Sequence, residues 1–197
     1  MPDQPHPDQP SAEHLTPLGE LGEFGLIDRL TADFAADLYP DIRKGVGDDA
    51  AVVFTGHDCQ IITTDMLLEG IHFDLSYVPL THLGYKAVAV NLSDVYAMNA
   101  RPYAITVSVG CSSRFTVEAL EALYAGIRAC CEQYGVQLIG GDTTGSKQGL
   151  CISITALGRG KEGELVYRSG ARENDLICVS GDLGAAFAGL QILEREK

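Results

Sequence analysis

Apolar residues recur at three- and four-residue steps through Phe24, Ile27, Leu30, Phe34 and Leu38, the spacing of one amphipathic helical face. Turn residues interrupt the pattern at Lys44-Gly45-Val46-Gly47-Asp48-Asp49. Two short apolar, β-branched runs follow, Ala51 to Phe54 and Ile61 to Thr64, the second ending at Asp65. Thr81 to Asn99 returns to helical spacing, with Ala87, Val90, Val95 and Met98 on one side and Asn91, Ser93 and Asp94 in its later half. Ala104 to Val109 alternates strictly, which predicts a strand with one face in the core. Thr116 reads as the N-cap of a third helix, with Glu118 near its positive end and Gly135 as its stop. Val136 to Ile139 predicts a short strand running into Gly140-Gly141-Asp142-Thr143-Thr144, and Cys151 to Leu157 alternates again. A polar stretch over 159–174 reads as a linker, Leu176 to Val179 as a further strand, and Gly184 to Leu193 as a last helix.

The order is helix, two strands, helix, strand, helix, two strands. A dinucleotide-binding fold would alternate strand and helix strictly and open on a Gly-rich turn, which this chain lacks. The pattern predicts an α+β class: a mixed, mainly antiparallel sheet with helices packed on one face. Five of the eight prolines lie in the first 18 residues, so 1–18 reads as a disordered tail. Residues 19–160 read as the main domain, and 161–197 as a linker and the start of a second α/β domain.

Charge and composition narrow the partners. With 197 residues, 14 Lys+Arg against 27 Asp+Glu and a net charge of −13, the chain lacks the basic footprint of a nucleic-acid binder. No window approaches the ~18 apolar residues of a membrane span, and the N-terminus has no secretory pattern. The six cysteines form no Cys-x-x-Cys pair, so reduced thiols in the cytoplasm are expected. An acidic protein repels free phosphates, so a phosphate ligand would need metal ions between it and the chain.

Four acidic positions stand out where a turn meets a strand or on a polar helix face: Asp48-Asp49, Asp65, Asp94 and Asp142. Each has small or hydroxyl neighbours, namely Gly47, Thr63-Thr64, Ser93, and Gly140-Gly141 with Thr143-Thr144. Hard divalent cations take carboxylate, hydroxyl and carbonyl oxygens, and small neighbours let a phosphate approach the backbone. Each position has a plainer reading too: turn filler for Asp48-Asp49, a strand end for Asp65, solvated surface for Asp94. His72 sits between apolar residues, where a core or capping role is the ordinary explanation; Arg168 in 159–174 reads first as a solvated side chain, with a phosphate fork as the sharper alternative. There is no Gly-x-x-x-x-Gly-Lys-Ser/Thr loop, kinase-type Gly-rich loop or Gly-x-Ser-x-Gly elbow. Spacing alone leads as far as metal-dependent phosphate chemistry.

Six ordered segments carry a resemblance. They are Gly22-Glu23-Phe24-Gly25-Leu26-Ile27, Gly47-Asp48-Asp49-Ala50-Ala51, Thr63-Thr64-Asp65 through Glu69-Gly70-Ile71-His72-Phe73, Lys86 through Asn91-Leu92-Ser93-Asp94, Gly140-Gly141-Asp142-Thr143, and Arg168-Ser169-Gly170-Ala171. Together they resemble the thiamine-monophosphate kinases, in the superfamily of aminoimidazole ribonucleotide synthetase and selenophosphate synthetase. The resemblance implies direct in-line, magnesium-assisted phosphoryl transfer from ATP to thiamine monophosphate, giving thiamine diphosphate, with no protein nucleophile. It also implies that Asp49, Thr63, Thr64, Asp65, Asp94 and Asp142 hold several Mg²⁺ ions, with Asp48 in support. Gly141, Asp142, Arg168 and Tyr124 would then lie at ATP and His72 at thiamine monophosphate. A homodimer through the first domain's sheet is implied as well. Family members carry a second domain, so the resemblance implies a C-terminally incomplete kinase with little activity alone. The alternatives are another ATP-dependent synthetase of the superfamily or a non-catalytic dimerisation module.

Overall fold

The computed structural model describes residues 16–34 and 38–195. The chain divides into two units, with the boundary between Leu38 and Tyr39. In the first, α1 (Leu18–Thr31) follows Pro17 and is broken at Gly22, whose φ of 65° is left-handed. The predicted helical face therefore stops short of Phe34 and Leu38. Most of the expected 1–18 tail lies outside the described residues, and its last residue already begins α1.

The second unit is a six-stranded sheet with two long helices. Its elements are β1 (Ile42–Lys44), β2 (Ala51–Phe54), β3 (Cys59–Leu68), α2 (Leu80–Ala97), β4 (Arg101–Cys111), α3 (Val117–Tyr134), β5 (Gln137–Gly145), β6 (Leu150–Gly160) and a terminal helix α4 (Ala185–Arg195). The strand order is β1-β2-β3-β6-β4-β5. Every neighbouring pair is antiparallel except β4 and β5, which α3 connects in parallel. This is the mixed, mainly antiparallel sheet that the alternation predicts. Burial alternates along β3 and β6, so one face carries Ile61, Thr63, Leu67, Ile152, Ile154 and Ala156 into the core with Leu83, Val88, Leu92, Leu123 and Ile127 of the helices.

The two helices meet backbone to backbone. A Cβ on Gly84 would stand 2.0 Å from the Leu123 carbonyl oxygen, and one on Gly126 would stand 1.8 Å from that of Thr81. Glycine is the residue that permits this close approach of α2 to α3. At the ends of α3, Thr116 accepts from the Ala119 N–H, and Gly135 closes the helix at φ 65°, both as the sequence predicts.

Three expectations change. Gly140-Gly141-Asp142-Thr143-Thr144 lies within β5 and is not a loop after it. Asp65 stands inside a ten-residue strand and does not end it. Leu176 to Val179 forms no strand: Leu176 and Ile177 are 91% and 96% exposed, and no neighbouring strand pairs with them among the described residues. An apolar run without a ladder partner has nowhere to place its backbone hydrogen bonds except water.

Candidate functional site

β3 and α2 run side by side in opposite directions, and the polar residues gather along the groove between them. At one end Thr63, facing the helix, donates from its hydroxyl to Asp94 Oδ2 at 3.0 Å and lies 3.1 Å from the Asp49 carbonyl oxygen. The turn before β2 brings in Asp48 and Asp49. The Asp48 side chain is 1% exposed and accepts from the Asp49 and Arg168 backbone N–H groups at 3.0 and 3.2 Å. Lys44 Nζ stands 3.8 Å from its other oxygen. The Arg168 guanidinium donates to Asp49 Oδ1 from Nε at 2.9 Å and from a second nitrogen.

One step along β3 lies Asp65. Its N–H donates to the side-chain oxygen of Asn91 at 2.9 Å, and Asn91, fully buried, donates to the Ala87 carbonyl. Asn91 is thus the joint that fixes α2 against β3, with Asp94 one turn further along the same helix. Sequence reasoning noted it without assigning a role; a polar residue in an apolar helical face, three before an aspartate, was the available signal.

Burial raises the Asp94 carboxyl above the usual carboxylate range, and the nearby Asp65 and Asp49 charges add to the rise. The Thr63 hydrogen bond and Arg168 oppose it. Three carboxylates within mutual influence, a threonine hydroxyl and a main-chain carbonyl make an all-oxygen donor set suited to Mg²⁺. Among the described residues no three His, Cys, Asp or Glu side chains converge at ligating distance. Magnesium in general keeps several waters and takes one or two carboxylates beside phosphate oxygens.

The other end of the groove holds His72. Together with Asp65, Met66, Leu67, Lys86 and Val90 it lines a cavity of about 190 Å³. His72 is exposed, so the core-histidine alternative falls away.

Two expected residues stand apart from the carboxylates. Successive side chains on a strand face opposite sides, so Thr64 is on the sheet face away from the helices. There its hydroxyl donates to the Ile154 carbonyl and accepts from Thr155 at 3.2 Å. The Thr64 side chain is therefore not gathered with that of Thr63 beside Asp94. Asp142 and Gly141 are on β5, at the sheet's far edge. They line a cavity of about 420 Å³ with Tyr124, whose phenol burial pushes up, and with Val107. The strand register places Asp65 opposite Ile154, Ile154 opposite Val107, and Val107 opposite Gly141. Asp65 and the Gly141-Asp142 pair therefore occupy one row across the sheet, roughly 14 Å apart at three interstrand steps. At Gly141 a Cβ would stand 1.8 Å from the Val107 carbonyl oxygen, so only glycine fits there.

The AIR synthase related protein, N-terminal domain family matches residues 47–160, from the Asp48-Asp49 turn to the end of β6. The chain belongs to this family. Among curated proteins, the thiamine-monophosphate kinase of Bacillus subtilis (strain 168) is 36% identical over 177 residues, 89% of this chain and 54% of that protein. The thiamine-monophosphate kinase of Aquifex aeolicus (strain VF5) is 38% identical over 180 residues, 91% of this chain and 55% of that protein. A solved structure of AaThiL complexed with AMPPCP and TMP superposes with a TM-score of 0.82 at 37% identity, covering 93% of this chain and 56% of that one. The chain thus spans about half the length of the curated relatives it matches.

Proposed function

We propose that this chain carries the metal- and nucleotide-binding part of a thiamine-monophosphate kinase, which transfers the γ-phosphoryl of ATP directly to the phosphate of thiamine monophosphate. The observation that carries the reading is the groove of β3 and α2, where Thr63, Asp65 and Asp94 share one face with Asp49 and Arg168 close by. The similarity to kinases of that name, and to a structure holding AMPPCP and TMP, supplies the substrates.

In this reading Asp49, Asp65 and Asp94, with the Thr63 hydroxyl, hold several Mg²⁺ ions, and Asp142 holds the nucleotide's metal from β5. Magnesium, when bound, supplies the positive charge that lets two phosphates meet and spreads the charge of transfer. The protein's own work is positioning. Asn91 fixes the backbone of Asp65, Asp48 shapes the turn that presents Asp49, and Thr63 orients Asp94 through its hydroxyl. Gly141 and Tyr124 shape the nucleotide end, Arg168 offers its guanidinium fork to phosphate, and His72 meets thiamine monophosphate. No side chain is asked to act as a nucleophile, so orientation and electrostatics provide the rate.

A homodimer formed through the sheet face opposite the helices, in the cytoplasm, belongs to the same reading. That face exposes Ile62, Met66 and Leu68, and all six cysteines are free thiols. No helix among the described residues is long and apolar enough to cross a membrane.

Calorimetry tests the proposal. The chain should bind an ATP analogue with Mg²⁺ and lose that binding when the metal is chelated. Nucleotide binding indifferent to magnesium would refute it.

A further inference from the structure

The chain carries a net charge of −13, and a lysine stands beside the His72 end of the groove with no carboxylate holding it. Lys86, on the groove side of α2, makes no ion pair among the described residues. Its ammonium donates to the backbone carbonyl of His72 at 2.9 Å and otherwise faces the solvent and the small cavity. Lys44, Lys161, Arg43, Arg114 and Arg168 are each paired with an acidic side chain, whereas Lys86, like Arg101, Arg128 and Arg159, is not, and of these Lys86 is the one that lines the cavity with Asp65 and His72. An ammonium has three donors, and this carbonyl engages one of them.

The ring of His72 is held as well. Its Nδ1 accepts from the Leu68 N–H at 3.0 Å, so a neutral ring carries its proton on Nε2. His72 is thus tied twice, its ring to Leu68 at the end of β3 and its carbonyl to Lys86 on α2. Asp65 lines the same cavity from the strand. Lys86 and Asp94 are eight residues apart on α2, about 12 Å along the axis. The ammonium therefore sits at the end of the groove opposite the Asp49–Asp94 cluster, with Asp65 between them.

We propose that Lys86 is the anchor for the acceptor phosphate: its ammonium, beside the His72 ring, binds the phosphate monoester dianion and aims one oxygen toward the ions held at Asp65. The chemistry asks for such a group. An acceptor dianion must come to rest among carboxylates, and divalent ions shared with the donor phosphates serve both substrates at once. A lysine at the far end pulls on the acceptor alone, and so sets its direction without drawing the nucleotide with it. Lys86 is not among the residues that sequence reasoning singled out for a role, because one lysine in a helix reads as a solvated side chain until its neighbours are known.

This assignment rests on the reading of the acceptor as thiamine monophosphate, and the test separates the two. Calorimetric titration of thiamine monophosphate and, in parallel, of magnesium–AMPPCP is carried out on the whole 197-residue chain, on Lys86→Met and on Lys86→Arg. Loss of one charge-assisted contact should weaken thiamine monophosphate binding by roughly 10- to 100-fold in Lys86→Met. Lys86→Arg should recover most of it, and magnesium–AMPPCP affinity should stay within about twofold throughout, which also reports an intact fold. Wild-type affinity in Lys86→Met overturns the anchor and leaves the kinase reading standing. Equal losses in the Met and Arg variants make Lys86 a structural tether of the His72 loop, and overturn it too. A wild-type chain that binds magnesium–AMPPCP but no thiamine monophosphate overturns the acceptor reading and the anchor with it.

Discussion

Asp94 pays in stability for its place in the groove. Its folded-state carboxyl is raised by burial first and by Asp65 and Asp49 after that, so the native protein holds this proton more tightly than the unfolded chain does. The ionised side chain is therefore a penalty on folding above the raised value. That penalty fades as pH falls toward the ordinary carboxylate value near ~4. Asp94→Asn keeps an acceptor for the Thr63 hydroxyl and removes the charge. Its Tm should equal or exceed that of the wild type near neutral pH, with the margin closing on acidification, while magnesium-dependent nucleotide binding is lost. A lower Tm at neutral pH would show that Asp94 is structural. Asp142→Ala, on an exposed strand, should leave urea denaturation unchanged and weaken magnesium–nucleotide affinity by about tenfold or more. The acidic positions themselves were legible in the sequence because small and hydroxyl residues flank them. What the sequence could not show is which side of the sheet each side chain takes. Thr63 and Thr64 are adjacent and equally polar, yet the pleat sends one to Asp94 and the other to Thr155.

Elements were legible where periodicity ran long. α2, α3 and the alternating strands β4 and β6 follow directly from apolar spacing, and the ends of α3 from Thr116 and Gly135. β1 escaped notice because three residues carry no period, and it exists through its pairing with β2. Leu176 to Val179 failed in the opposite sense, having strand composition with no strand beside it. Tertiary pairing decides both cases. The glycine contact between α2 and α3 was hidden too, since neither Gly84 nor Gly126 breaks its helix. Gly126→Ala would drive a methyl group into the Thr81 carbonyl. It should cost about 3 kcal/mol or more, read from the urea midpoint, and should loosen nucleotide binding as α2 shifts with Asn91 and Asp94.

At the scale of the whole molecule the sheet has two unlike faces. One is sealed by α2 and α3; the other shows Ile62, Met66 and Leu68 among threonines and serines. A second copy seated there would cover them. Sedimentation should then report a dimer, and Met66→Glu, at a residue 55% exposed, should yield a folded monomer. A monomeric wild type would remove the dimer from the proposed function. The general architecture was readable from element order, but the strand order was not, because the register that aligns Asp65 with Gly141 depends on β6 inserting between β3 and β4.

The hold of Arg168 on Asp49 carries one more consequence. Under the proposed function, the guanidinium would keep the Asp49 carboxylate neutralised where a divalent ion would otherwise bind. Displaced by that ion, the guanidinium would be free for an incoming anion, and by thermodynamic reciprocity metal and nucleotide would then each tighten the other's grip to the same degree.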